Sequence, residues 1–148
     1  MLRRGGGWQT LVEGRDCPAV SLYVSFDEST LEVKSHETKL ERVPIVANLR
    51  HDKLDAVVTA QSLAGDAPAD YPFAQELAFT FKLAHTLKAR REVVRGKPEN
   101  FNRPDYSFKL DNNRGGEPLG DEPVAITTRQ RGAPLDLIVA EAMILANS

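Results

Sequence analysis

Residues 131–148 read RGAPLDLIVAEAMILANS, and this stretch organises the reading of the whole chain. Pro134 suits the first turn of a helix, where its missing N–H is no loss, and Asp136 places a negative charge near the positive end of the helix dipole. With Leu135 set at 0° and about 100° per residue, Leu135, Ile138, Val139, Ala142, Leu145 and Ala146 fall within about 120° of arc. That is one apolar face. Glu141 lies about 40° beyond Leu145 on the same wheel, so it is expected at the margin of the buried face. A glutamate there either covers apolar surface with its stem or has a specific task.

Working back from this helix, VAITT (124–128) and YSFKL (106–110) alternate in the manner of strands, with Tyr106, Phe108 and Leu110 on one face. The polar stretch between them, DNNRGGEPLGDEP, has the composition of a turn. The pair reads as a hairpin with a long loop. Before it, PFAQELAFTFKLAHTLKARREVVRG predicts the longest helix. Phe73, Leu77, Phe81, Ala84, Leu87 and Val94 recur at helical steps, Pro72 stands in the first turn, and Gly96 provides a stop with Pro98 beyond. Residues 52–63 predict a short helix with Leu54, Val57 and Val58 on its apolar face.

The first third is β. Val20, Leu22, Val24 and Phe26 alternate with Ser21, Tyr23, Ser25 and Asp27, which predicts a half-buried strand. Alternation resumes through Leu31, Val33, Val43, Ile45 and Ala47, giving two or three antiparallel strands turned at Asp27-Glu28-Ser29. Pro44 marks an edge or a bulge. The glycine-rich opening, MLRRGGGW, makes residues 1–16 flexible rather than part of a core. Strands, helices, hairpin and helix in that order give an α+β fold in one domain spanning 1–148, with antiparallel strands and a hairpin packed with a long central helix and a C-terminal helix.

Composition narrows the function. The chain is 41% apolar and 27% charged, with net charge −2. That suits a soluble domain and excludes a membrane-spanning one. A single cysteine, Cys17, rules out an internal disulfide framework and fits a cytoplasmic setting. The histidines, His36, His51 and His85, are scattered, so no zinc spacing exists. There is no phosphate loop, no nucleophile elbow and no dinucleotide fingerprint. Asp52 and Asp55 share a helix face but read as a solvated pair. Between Lys82 and Arg114, nine Lys and Arg stand against four Asp and Glu. This band faces either solvent or an anionic partner such as nucleic acid.

The closing stretch also resembles a segment of the ribonuclease II/ribonuclease R family, in which an arginine-containing strand end leads into a helix ending E-x-M-I-x-A-N. Other pieces follow in the family's order: TLVEGRDCPAVSLYV, then ANLRHDKLDAV (similar to A-x-L-x-Y-D-x-V), then KARREVVRG followed by NRPDYSFKLD. The resemblance implies the middle-to-late portion of an RNB-type catalytic domain, from processive 3′→5′ exoribonucleases that hydrolyse single-stranded RNA with Mg²⁺. It implies that Glu141 lies near the RNA 3′ end. It implies RNA contacts from His51, Lys88, Arg90, Arg91, Arg95, Arg129 and Arg131, with His51 standing where relatives carry a stacking tyrosine. The family's metal-binding aspartate cluster has no counterpart in these residues, so Mg²⁺ belongs to the parent enzyme and the chain alone is expected to be inactive. The alternative is a non-catalytic RNA-binding or scaffolding domain derived from such an enzyme. Surfaces laid bare by truncation are expected to favour self-association.

Overall fold

The computed structural model describes residues 11–99, 104–110, 123–130 and 132–148. Side chains 51, 52, 109, 110 and 130 lie outside that description.

Strand β1 (Asp16–Phe26) pairs antiparallel with β2 (Val33–Pro44). The alternation predicted for β1 is present, with Val20 opposite Leu40 and Leu22 opposite Thr38. The expected half-buried face is present only at its far end: Val24 and Phe26 are partly buried, while Val20 is 71% exposed and lies opposite Leu40 at 85%. Residues 33–44 form one long strand, so there are two strands and not three. The register shift falls at Ser25/Phe26, and Pro44 ends β2, which is an edge strand in this two-stranded sheet. The turn is built as the sequence suggested. Asp27 Oδ1 accepts from the Ser29 hydroxyl (2.6 Å) and from the N–H groups of Ser29 and Thr30 (2.9 and 3.0 Å). The Ser29 hydroxyl, then Lys34 at 2.9 Å, hold its carboxyl well below the usual carboxylate range. The expectation of a flexible 1–16 falls partly outside the described residues. From Leu11 onward the chain is tied to the segment just after β2, through Gly14 N–H to Ile45 O and Ile45 N–H to Arg15 O.

The single helix expected over 52–63 is two short ones, α1 (His51–Leu54) and α2 (Ala60–Ala64). The break has a local cause. Thr59 adopts an extended backbone and caps a new helix: its Oγ1 accepts from Ser62 N–H, while Ser62 Oγ accepts from Thr59 N–H. The β-branched run Val57-Val58-Thr59 therefore lies between helices. Val58 becomes fully buried there, worth about 2 kcal/mol of transfer energy.

Helix α3 (Ala74–Arg95) starts two residues after Pro72, which precedes the cap and is not in the first turn. Phe73 occupies the N-cap in a left-handed conformation (φ 60°) with no side-chain cap bond. Gly96 closes the helix at φ 68°, where a Cβ would be strained, and its N–H bonds Val93 O. Strands β3 (Pro104–Leu110) and β4 (Val124–Gln130) form the expected hairpin, and α4 (Pro134–Ala146) is the closing helix.

The core is small. Val58, Leu63, Leu77 and Leu135 are buried together, with Leu54, Tyr71, Phe81 and Ile138 packed around them. Thus α4 docks on α3 through Leu135 and Ile138, while Val139, also predicted on its apolar face, is exposed. Val94, predicted on the apolar stripe of α3, is 87% exposed. The architecture is α+β, with two antiparallel strand pairs and helices. Among the described residues, no helix is long and apolar enough to cross a membrane.

Candidate functional site

Glu141 is not marginal. It is 2% exposed, and both of its oxygens are bound by Arg91 of α3. The contacts are 2.5 Å from Nη1 to Oε2 and 2.6 Å from Nη2 to Oε1, the two-pronged geometry that a planar guanidinium offers a carboxylate. The wheel misplaced Glu141 because α4 packs against α3 on its flank as well as on its apolar stripe. Arg91 also reaches Glu99 just past the end of α3, with Nε at 3.0 Å and Nη2 at 2.5 Å. Glu99 accepts a further ion pair from Arg95. Its own N–H donates to Glu92 Oε1 at 2.7 Å, and Lys88 Nζ lies 3.6 Å from that same oxygen.

These bonds form one network that locks the end of α3, the turn after it and the middle of α4. Glu141 and then Glu99 raise the Arg91 guanidinium above its ordinary pKa. Arg91 holds Glu99 below the ordinary carboxylate value.

A second cluster is built on β4. Arg129 donates to Asp55 Oδ2 from Nε (3.0 Å) and Nη2 (2.8 Å), and Nη2 also meets Asp136 at 2.9 and 3.0 Å. It ties the turn between α1 and α2 to the start of α4. The hydrogen bond from Asp55, ahead of that from Asp136, raises the Arg129 pKa. Asp136 has a second task, since Oδ2 accepts from Gly132 N–H at 3.2 Å just before the helix. The reading of Asp55 as a solvated carboxylate is corrected here: it is half-buried and ion-paired. Its other oxygen, Oδ1, is buried with no hydrogen-bond partner among the described residues.

Between these clusters lies a cleft of about 990 Å³. Val58, Phe81, Leu137, Val139 and Met143 supply its apolar lining, and the His85 ring stands edge-on to Phe81 at 4.5 Å. Lys88 and Arg129 reach it, as do Asp55, Glu99, Asp105 and Asp136.

The expected RNA contacts are therefore distributed. Arg91, Arg95 and Lys88 join Glu141 in one network. Arg129 sits in the second. Arg90 is turned to the β1–β2 turn, where its guanidinium donates to the carbonyls of Thr30 and Leu31, the latter at 3.1 Å. His51 opens α1, but its side chain lies outside the described residues, as does Arg131. Sequence reasoning missed Glu99, which follows Pro98 in an irregular stretch with no periodicity to signal it. It also missed the pairing roles of Asp55 and Asp136.

The residues do not fit a divalent ion. Mg²⁺ takes oxygen ligands in a near-ideal octahedron. Among the described residues, no group of three or more His, Cys, Asp and Glu is arranged to hold a metal. The two carboxylates nearest to such a role, Asp55 and Asp136, share the guanidinium of Arg129, whose charge opposes a cation.

The RNB domain family model matches residues 6–148. No match is found among curated proteins or among solved structures. The matched stretch includes α4 with its buried glutamate, the long helix that clamps it and the hairpin between them. The chain belongs to the RNB domain family, a family of hydrolytic exoribonucleases.

Proposed function

We propose that this chain is part of a 3′→5′ exoribonuclease acting on single-stranded RNA. In this reading it supplies the scaffold near the RNA 3′ end and not the metal ligands. Family membership over residues 6–148 carries the proposal. The placement of Glu141 supports it, because the clamp from Arg91 fixes that carboxylate in one geometry on a rigid helix pair. The lack of a convergent carboxylate group among the described residues supports the further reading that the chain alone does not hydrolyse RNA. Two-metal phosphodiester chemistry needs carboxylates that bring ions to about 4 Å of each other.

RNA contact is proposed for His51, Lys88, Arg90, Arg91, Arg95, Arg129 and Arg131. Lys88, Arg90, Arg91, Arg95 and Arg129 also serve the fold, since their charged groups already face carboxylates or carbonyls. Self-association is part of the proposal. Tyr106, Phe108, Val124 and Ile126 share one face of the β3–β4 hairpin and are all more than half exposed. The cytoplasm is the proposed compartment.

The experiment is incubation of the purified chain with 5′-labelled single-stranded RNA and Mg²⁺, followed on a sequencing gel. The expected result is intact RNA. Stepwise shortening from the 3′ end that persists through repurification overturns the reading of the isolated chain.

A further inference from the structure

Helix α3 holds the β1–β2 ribbon at its turn, through Arg90 and the carbonyls of Thr30 and Leu31. Farther from the turn the ribbon stands in solvent. Val20 and Leu40, directly opposite each other, are both largely exposed. Among the described residues neither strand has a second neighbour. A two-stranded ribbon is marginal in water and gains from further strands.

The backbone shows what the outer edge of β2 offers. Ile45 N–H bonds Arg15 O, so Ile45 turns its polar groups toward β1. The register then runs without a shift from Asp16↔Pro44 to Ser25↔Ser35. Alternation turns Val43, Glu41, Lys39 and Glu37 the same way. It leaves the backbone groups of Arg42, Leu40, Thr38 and His36 on the outer edge. Leu40 is therefore an exposed leucine in the middle of an unpaired edge.

The side chains select the partner. Lys39-Leu40-Glu41 is complementary to itself when read in reverse. A second copy paired antiparallel about Leu40 sets leucine against leucine, Lys39 against Glu41 on both sides of the axis, Thr38 against Arg42 and Glu37 against Val43. No like charges meet. Neighbouring registers that use the same edge groups do worse, since like charges directly opposite are destabilising. Centred on Thr38, Arg42 meets Lys34. Centred on Lys39, that lysine meets itself and Glu37 meets Glu41. Centred on Glu41, two glutamates meet. Charges on an edge commonly block strand addition, and here they leave one register open among these four. Glu41 is held on its face by the Tyr23 hydroxyl at 2.7 Å. Lys39 bridges Glu37 at 3.0 Å with both side chains well exposed, so its ammonium is free to turn across the new seam.

We propose that the outer edge of β2 is an interface between two copies of this chain, paired antiparallel about a twofold axis at Leu40. The product is a four-stranded sheet in the order β1-β2-β2-β1. The axis stands normal to the sheet, so Val20 and Leu40 of both copies form one apolar row across it, at about 4.8 Å per strand. The contact uses the same patch twice and closes at two copies. This inference rests on the self-association reading, for which it names a surface, and is independent of whether the chain degrades RNA.

The test is sedimentation equilibrium of the full chain over a range of concentrations, with amide exchange of the ¹⁵N-labelled chain read by NMR. A monomer–dimer equilibrium is expected. The amides of Thr38, Leu40 and Arg42 are expected to exchange fast when dilute and slowly when concentrated, while those of Lys39 and Glu41, turned to β1, are protected throughout. Leu40→Lys, at an exposed position and with folding checked by circular dichroism, is expected to abolish the dimer. Lys39→Glu is expected to weaken it about fivefold or more, and adding Glu41→Lys to restore it. Phe108→Lys, on the β3–β4 face, is expected to leave it unchanged. A dimer that survives Leu40→Lys, or a combined swap no tighter than Lys39→Glu alone, overturns this inference. A dimer lost in Phe108→Lys and kept in Leu40→Lys overturns it while leaving self-association in place. A monomer at every concentration overturns both.

Discussion

Arg91 is the residue whose loss discriminates most sharply between a clamp and an incidental surface pair. Its side chain is 16% exposed, and it neutralises Glu141 at 2% and Glu99 at 13%. Arg91→Met keeps much of the stem volume and removes only the charge and the donors. Two poorly solvated carboxylates are then left without their shared cation. Removing one partner of a buried pair costs about 3–5 kcal/mol, because the remaining charge stays desolvated. In a chain of this size that is a fall in Tm of roughly 6–20 °C. Glu141→Gln keeps the shape and leaves Arg91 bound to Glu99, so its cost is about 1–3 kcal/mol. The double variant Arg91→Met with Glu141→Leu is expected to be more stable than Arg91→Met alone, since the stranded charge is gone.

The pH dependence gives a second signature. In Arg91→Met, Glu99 loses the guanidinium that holds its carboxyl below the ordinary value. The stability that Arg91 lends it is fully present above the unfolded pKa and is lost as pH falls through the native one, so the gap between parent and variant narrows as the solution is acidified. Urea melts from pH 7 to pH 3 should show the variant gaining stability relative to the parent. A cost below about 1 kcal/mol, or a variant that tracks the parent at every pH, refutes the clamp.

Further outcomes follow from the same geometry. In the parent chain Asp27, Glu41 and Glu99 have depressed carboxyl pKa values, caused first by Ser29, Ser21 and Arg91 respectively. Their stabilisation is fully present above their unfolded values and is lost as pH falls through the native ones. Urea midpoints should therefore be level above about pH 5 and drop below it. Arg90→Ala should free the carbonyls of Thr30 and Leu31, and amide exchange in the β1–β2 turn should accelerate more than in α4. Thr59→Ala should cost about 1 kcal/mol by removing half of the capping box, and exchange in α2 should report it.

Local rules carried the elements whose signals are local. The Asp27 turn, the Gly96 stop and the Pro134 start each rest on one or two residues with a fixed conformational preference, and the pairing of β3 with β4 on two alternating runs. Where packing decides, the sequence was less legible. The apolar side of β1 looked half-buried along its whole length, yet Val20 and Leu22 are exposed, because alternation reports which residues share a face and not whether anything covers it. The 52–63 helix looked continuous because helical spacing cannot see Thr59 and Ser62 capping each other across the break. Glu141 was singled out by spacing and by family resemblance, but its burial depended on Arg91, fifty residues away in sequence. Glu99 was invisible for the same reason: nothing in KPEN announces that the turn after α3 folds back to share an arginine. The basic band was real as composition, yet most of its described arginines proved to be internal ligands of carboxylates and carbonyls. A charge count sees cations and cannot see their partners.

The central claim is that this chain belongs to the RNB domain family and holds Glu141 in an arginine clamp, with both carboxylate oxygens taken by Arg91. Titration of the ¹⁵N-labelled chain with Mn²⁺, read as paramagnetic broadening of amide signals, tests it directly. The account predicts weak, non-saturating broadening spread over exposed carboxylates, unchanged by Glu141→Gln. A saturable site that broadens the Glu141 region at stoichiometric Mn²⁺, and disappears in Glu141→Gln, contradicts it.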